Sequence, residues 1–289
     1  MGATLRTLGL FAFMFGLFMA IGWLVGSLFI GNWMLGAIIF MVLAGLINLV
    51  SYFYSSKIVM WTYKVKVVSE AEAPRLYRTV RNIAAMNGLP MPKVGIIPTG
   101  TPNAFATGRN PKNAVVCATE GLMRMLDDEE LSGVLAHEMA HVKNRDILIM
   151  SVASTIAGAI SFAARFAFYG ALFGDRRNEG GLIIAVVVAI TAPIAAMMVQ
   201  LAISRNREYK ADYEGAKLIG RPLYLARALE KLETANRRSP MRFGSPASSN
   251  LFIVNPFNGG TLVSIFSTHP PMAERVKRLR QMANKMGQY

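Results

Sequence analysis

His137 and His141 stand four residues apart with Glu138 beside the first, in the run His137-Glu138-Met139-Ala140-His141. Four residues is just over one turn of α-helix, so both imidazoles leave the same face and can hold one zinc ion. Glu138 is then placed to take a proton from a water molecule whose pKa the metal lowers towards about 7, which aims a hydroxide at a peptide carbonyl. A five-residue match also arises by chance, as two surface histidines beside an unrelated glutamate. Here it takes two of only three histidines in the chain. It also lies on a segment that reads as helix for other reasons: Asp127 and Glu130 form a capping box, and Leu131, Val134 and Leu135 begin an apolar face.

A catalytic zinc needs a third protein ligand and an open position. The class that extends the motif to a third histidine is excluded, because Asn144 and Ile147 occupy the diagnostic positions. The alternative is a glutamate on a later helix. Glu208 is the best candidate, in Ser204-Arg205-Asn206-Arg207-Glu208-Tyr209-Lys210-Ala211-Asp212. Asp212 falls one turn on along the same face, where it could accept the free N–H of a ligating histidine and fix its tautomer. Taken alone, Glu208 reads equally as part of a solvated face. The third histidine, His269, sits in Thr268-His269-Pro270-Pro271. The following proline favours extended backbone, so the imidazole could donate to the oxyanion of a tetrahedral intermediate, or simply pack beside the prolines.

These residues need elements to hold them, and the composition says where those elements lie. The 289-residue chain is 53% hydrophobic yet carries a formal charge of +14, a pairing uncommon in soluble domains. The positive charge sits mostly outside long apolar runs, which points to membrane orientation and anionic lipid and away from nucleic acid. Four apolar stretches, 8–30, 33–54, 147–173 and 182–203, are long enough to cross a hydrocarbon core of about 30 Å. The first lacks a signal-peptide cleavage site and reads as an uncleaved anchor. Gly31 and Asn32 alone separate the first two, which makes a tight hairpin, and Arg6, Lys57, Lys64 and Lys66 place its outer ends on the cytoplasmic side. Arg165 interrupts the third stretch, so that pair crosses the membrane or only dips into it. Either way Glu208 can rejoin His137 and His141 only if an even number of crossings separates them.

The organisation that follows is an N-terminal transmembrane hairpin (1–54), a first catalytic part (55–146), a second membrane-inserted hairpin (147–203) and a second catalytic part (204–289). In the first part, residues 72–86 carry apolar positions at helical spacing. Short strand-like runs follow at 94–97, 104–107 and 114–118, divided by Gly, Pro and Asn turns. Cys117 lies in the last run, where burial is expected and no internal disulfide is available. In the second part, helices are expected at 207–219, 223–235 and 272–286, the last with an Arg/Lys cluster suited to acidic lipid heads. The loop 239–260, rich in Ser, Pro, Asn and Gly, is either a gate over the cleft or an ordinary connection.

The ordered set of apolar hairpin, His137-Glu138-x-x-His141 with Val142-Lys143-Asn144-Arg145-Asp146, second apolar pair, Ser204-Arg205-x-x-Glu208-x-x-x-Asp212 and Thr268-His269-Pro270-Pro271 resembles the HtpX membrane proteases along essentially the whole chain. That resemblance implies an α+β, predominantly helical integral membrane protein, with a zincin-like catalytic domain, a small β-sheet and about four transmembrane helices. It implies one Zn2+ per chain held by His137, His141 and Glu208, with Glu138 as general base. It further implies a catalytic domain on the cytoplasmic face of the inner (plasma) membrane, cutting unfolded or misfolded membrane proteins in quality control. Pro102-Asn103-Ala104-Phe105-Ala106 resembles the family's edge strand, which implies that Asn103, Ala104 and Phe105 bind substrate through backbone hydrogen bonds. On residue type alone Asn103 is a turn residue and Phe105 is core. Two other readings compete: a protease of prenylated peptides, whose relatives need more membrane helices, and a non-catalytic scaffold stapled by zinc, which would want a fourth protein ligand.

Overall fold

The computed structural model describes residues 3–156, 205–244, 246–257 and 270–288. The apolar segment 157–203, with Arg165, and His269 lie outside the described residues.

The chain starts with helix α1 (Ala3–Val25), closes through a π-helical turn (Gly26–Ile30) and returns as α2 (Trp33–Thr62). Gly31 takes φ +69°, a conformation that costs glycine little, and the Asn32 side chain caps α2 by accepting from the Leu35 N–H. The two helices meet through glycine. A Cβ on Gly36 would lie 2.2 Å from the Gly22 carbonyl oxygen, so only a residue without one lets the backbones touch. Large apolar side chains on the outer faces, among them Leu8, Trp33, Ile38, Leu46 and Leu49, remain exposed. A patch of that extent calls for a lipid or protein partner. These two helices are long and apolar enough to span a bilayer; among the described residues no others are.

Helix α2 continues eight residues past the expected end at 54, since nothing in Ser55-Ser56-Lys57 breaks a helix. Three residues later the chain enters a four-stranded sheet of order β1-β2-β4-β3, made of β1 (Lys66–Val68), β2 (Lys93–Ile97), β3 (Ala104–Thr107) and β4 (Val115–Thr119). Strands β2 and β4 pair in parallel, and β1 and β3 flank them antiparallel. The short β1 has no alternating pattern and is not apparent from sequence.

Helix α3 (Pro74–Met86) and the short α4 (Glu120–Met125) frame α5 (Asp128–Lys143), which starts on the expected Asp127–Glu130 capping box. Then follow α6 (Asp146–Ile156), α7 (Arg205–Ile219), α8 (Pro222–Arg238) and α9 (Met272–Lys285). One apolar core joins α3, α5, α8 and α9 to the sheet through Leu76, Val116, Leu131, Leu135, Leu229 and Leu279. A second core, with Met14, Val59, Tyr63, Phe105, Ile149 and Phe252, joins the sheet to α1, α2 and α6. The first holds the sheet and the helices packed on it together; the second fixes them to the hairpin.

Candidate metal centre

Helix α5 carries His137, Glu138 and His141 into the interior, where each is almost fully buried. Helix α7 lies against it because Glu208, Asp212 and Gly215 recur at the 0, 4, 7 spacing of one helical face. At Gly215 the contact is backbone to backbone: a Cβ there would sit 2.8 Å from the Ala136 carbonyl carbon and from the His137 nitrogen. That approach brings Glu208 to the two imidazoles. Its Oε2 is 3.8 Å from His137 Nε2 and its Oε1 is 3.4 Å from His141 Nε2.

The ligand atoms of His137, His141 and Glu208 all lie within 4.8 Å of one another. Bonds of roughly 2.0–2.1 Å at tetrahedral angles would separate ligand atoms by roughly 3.3 Å, so the group is close to the size zinc needs. The other ring nitrogens face carboxylates. His137 Nδ1 is 2.9 Å from Asp212 Oδ1, and His141 Nδ1 is 3.3 Å from Asp146 Oδ2. A proton on each Nδ1, on the side that faces its carboxylate, leaves both Nε2 lone pairs turned to the same point.

Asp212 is held in turn by Arg275, which is fully buried. Its Nε donates to Oδ2 at 2.8 Å and its Nη2 to Oδ1 at 2.7 Å, while Nη1 donates to the Ile253 carbonyl at 2.8 Å. Arg207 Nη1 stands 3.7 Å from Asp146 Oδ1.

The electrostatics favour a cation. Burial works to raise the Asp212 carboxyl, but the charge and bidentate bonds of Arg275, with the bond to His137, hold it at about 2. Burial lowers His137 and outweighs Asp212, leaving a neutral imidazole. Burial also works to lower His141, yet bonds to Asp146 and Glu208 and the charges of Glu208 and Glu138 carry it up to about 10. Without a metal, then, the His141 imidazole carries a positive charge beside Glu208. Burial pushes Glu138 up to about 7, and although His141, Arg275 and the Ala106 N–H oppose this, Glu208 adds to it. A carboxyl near neutrality suits a group that must both accept and return a proton.

Asn103, Ala104 and Phe105 are all buried. Ala104 and Phe105 lie on β3, the last strand of the sheet, which packs against α5. Cys117, opposite Phe105 on β4, is buried as expected, and burial pushes its thiol up.

Arg275 stands apart from the basic cluster of α9 that could rest on acidic lipid heads: it is buried, while Arg278 and Arg280 are exposed. Met272, Val276, Leu279 and Ala283 mark an apolar stripe, and Arg275 falls within it while the helix's other basic residues do not. A charge on an apolar stripe was the available signal. Asp146 is marked only by its place in the run Val142-Lys143-Asn144-Arg145-Asp146 that carries the family resemblance, with no role attached.

Residues 70–283 match the family described as Peptidase family M48. The chain is 52% identical over 288 residues to a "Protease HtpX homolog" of Syntrophobacter fumaroxidans, covering 98% of this chain and 100% of that one. To a "Protease HtpX homolog" of Thermococcus sibiricus it is 50% identical over 293 residues, covering 99% and 98%. It is also similar to the solved structure of S. mikatae Ste24p, at 19% identity and a TM-score of 0.49, covering 96% of this chain and 65% of that one.

Proposed function

Since the chain belongs to peptidase family M48 and, within it, to the HtpX proteases, we propose that it is a membrane-embedded zinc metalloendopeptidase that cuts misfolded or damaged membrane proteins. The observation that carries this reading is the convergence of the ligand atoms of His137, His141 and Glu208 within 4.8 Å, beside Glu138. When bound there, zinc supplies Lewis acidity toward the peptide carbonyl and acidifies water.

The chain's own residues do the rest. Glu138 takes the proton of the attacking water and delivers it to the leaving amine, a double duty that a pKa of about 7 favours. Asp212 and Asp146 hold the two imidazoles in one tautomer. The β3 edge aligns an extended substrate by backbone pairing through Asn103, Ala104 and Phe105, so selection depends little on side chains. His269 donates to the developing oxyanion. Four membrane segments, 8–30, 33–54, 147–173 and 182–203, hold both catalytic parts on the cytoplasmic face of the inner (plasma) membrane.

The test is Glu138→Gln in purified full-length protein. Metal content stays at the wild-type level, while chelator-sensitive cleavage of casein in detergent disappears. Undiminished cleavage by the variant would remove Glu138 as the base.

A further inference from the structure

A strand has two edges, and both edges of β3 are in use. One pairs with β4. Along the other runs a segment of the chain's own loop, residues 251–254. The Ile253 N–H donates to the Ala104 carbonyl at 3.1 Å, and Phe105 and Phe252 form an antiparallel bridge. The Asn103 side chain holds both backbone groups of Val254, its Nδ2 donating to the carbonyl at 2.7 Å and its Oδ1 accepting from the N–H at 3.5 Å. Strand β3 packs against α5, the helix that carries Glu138. An extended polypeptide aligned with Glu138 needs these same backbone groups, and two chains cannot pair with one edge.

The four side chains of the segment are buried in the two cores, but its backbone is held lightly for a strand. It makes a single isolated bridge where each neighbouring pair of strands makes a ladder. Its start is tied by side chains, with Ser154 Oγ on α6 donating to Asn250 Oδ1 at 2.6 Å and Tyr63 and Ser248 sharing a hydroxyl–hydroxyl bond. Asn250 Nδ2 is buried with no acceptor among the described residues. An unmet buried donor works against the arrangement that buries it.

We propose that residues 251–254 form an autoinhibitory strap, an internal pseudosubstrate that must lift from β3 before a polypeptide is cut. The proposal rests on the reading of β3 as the substrate edge of a protease. Lifting also breaks the bond from Arg275 to the Ile253 carbonyl, so the strap touches the group that positions His137 through Asp212.

The experiment locks the strap. In full-length protein carrying Cys117→Ala and loaded with zinc in detergent, Ser154→Cys and Asn250→Cys are combined, and closure is scored by loss of both thiols in the denatured protein. The oxidised form cleaves casein at least about tenfold more slowly than the same protein reduced with a phosphine, at equal metal content, and each single-cysteine variant is indifferent to oxidation. Equal rates in the locked and reduced forms overturn the strap. Absence of chelator-sensitive cleavage in reduced and wild-type protein alike overturns the protease reading, and the strap falls with it. Ser154→Ala gives a second, independent decision: it loosens the anchor without touching the strap's sequence and raises kcat/KM about fivefold, the worth of one hydrogen bond. A rate at or below wild type sinks the proposal even if the disulfide does not close.

Discussion

Arg275→Met tests whether the metal centre depends on a residue that is not a candidate ligand. Methionine has a similar unbranched shape but no donor, so three bonds vanish at once: two to Asp212, at 2.8 and 2.7 Å, and one to the Ile253 carbonyl at 2.8 Å. Asp212 is only 3% exposed, which leaves its carboxylate buried against a single imidazole. Removing one member of a buried ion pair typically costs about 3–5 kcal/mol, and three lost bonds are consistent with the upper part of that range. With Arg275 gone, burial lifts the Asp212 carboxyl from its value near 2 and weakens its hold on the His137 N–H. Loss of such a support typically weakens metal binding about 10–100-fold. The assays are a denaturant midpoint at pH 7 and zinc competition against a chromophoric chelator. Arg275→Lys recovers only part, because one ammonium cannot bridge both carboxylate oxygens. An Arg275→Met variant within about 1 kcal/mol of wild type, with unchanged zinc affinity, would refute the claim that Asp212 takes its position from this arginine.

Other outcomes follow from the same geometry. Gly215→Ala sets a Cβ against the Ala136–His137 backbone and pushes α7 outward, so kcat/KM falls about 10–100-fold while the protein remains folded by circular dichroism; unchanged kinetics would mean that α7 has slack. Glu208→Ala loses bound metal in an elemental assay, and full occupancy in that variant would strike Glu208 from the ligands. The folded-state pKa of Glu138, about 7 against an ordinary 4.5, means that folding favours its protonated form. Stability of the metal-free protein from this group is therefore full below about pH 4.5 and lost as pH rises through 7, by roughly 3 kcal/mol. Melting curves in chelator at pH 5 and 8 show that drop in wild type and not in Glu138→Gln; identical drops in both remove the attribution. In a Cys117→Ala background, a cysteine at position 178 reacts with an impermeant thiol reagent from outside intact cells if 147–173 and 182–203 are true crossings, whereas labelling only after lysis means a dipping hairpin.

Much of the centre could be read because its parts are local. The capping box at Asp127 and Glu130, the four-residue spacing of His137 and His141, and the matched spacing of Glu208 and Asp212 each lie within one helix, where sequence distance becomes spatial position directly. The helices of the second half emerged within a few residues of their expected ends for the same reason. What was not legible depends on distant partners. Nothing around Arg275 names Asp212, which is 63 residues away, and a basic residue in a basic helix reads first as solvated. Strand β1 is three residues long and exists because β2 pairs with it. The 251–254 segment has no pattern of its own, so its place on β3 could be suspected only as a gating loop. Helix α2 extends past residue 54 because Ser55, Ser56 and Lys57 interrupt the apolar run without breaking the helix, and Ile58, Val59, Met60 and Trp61 resume it.

That continuation has a mechanical consequence. At 30 residues α2 is about 45 Å long, against a hydrocarbon thickness of about 30 Å, and only Tyr63, Lys64 and Val65 stand between its end and β1. Tyr63 is fully buried, with its ring against Phe105 of β3 and Phe252. A flexible tether would give a protease a search volume, and any bond within its radius would be within reach. A stiff mount gives it an altitude. With β3 as the substrate edge, as proposed above, that edge would stand at a set height above the lipid, and a scissile bond would be chosen partly by how far its segment can be drawn out of the bilayer. Insertions that lengthen α2 by whole turns change that height without touching a single residue of the metal centre.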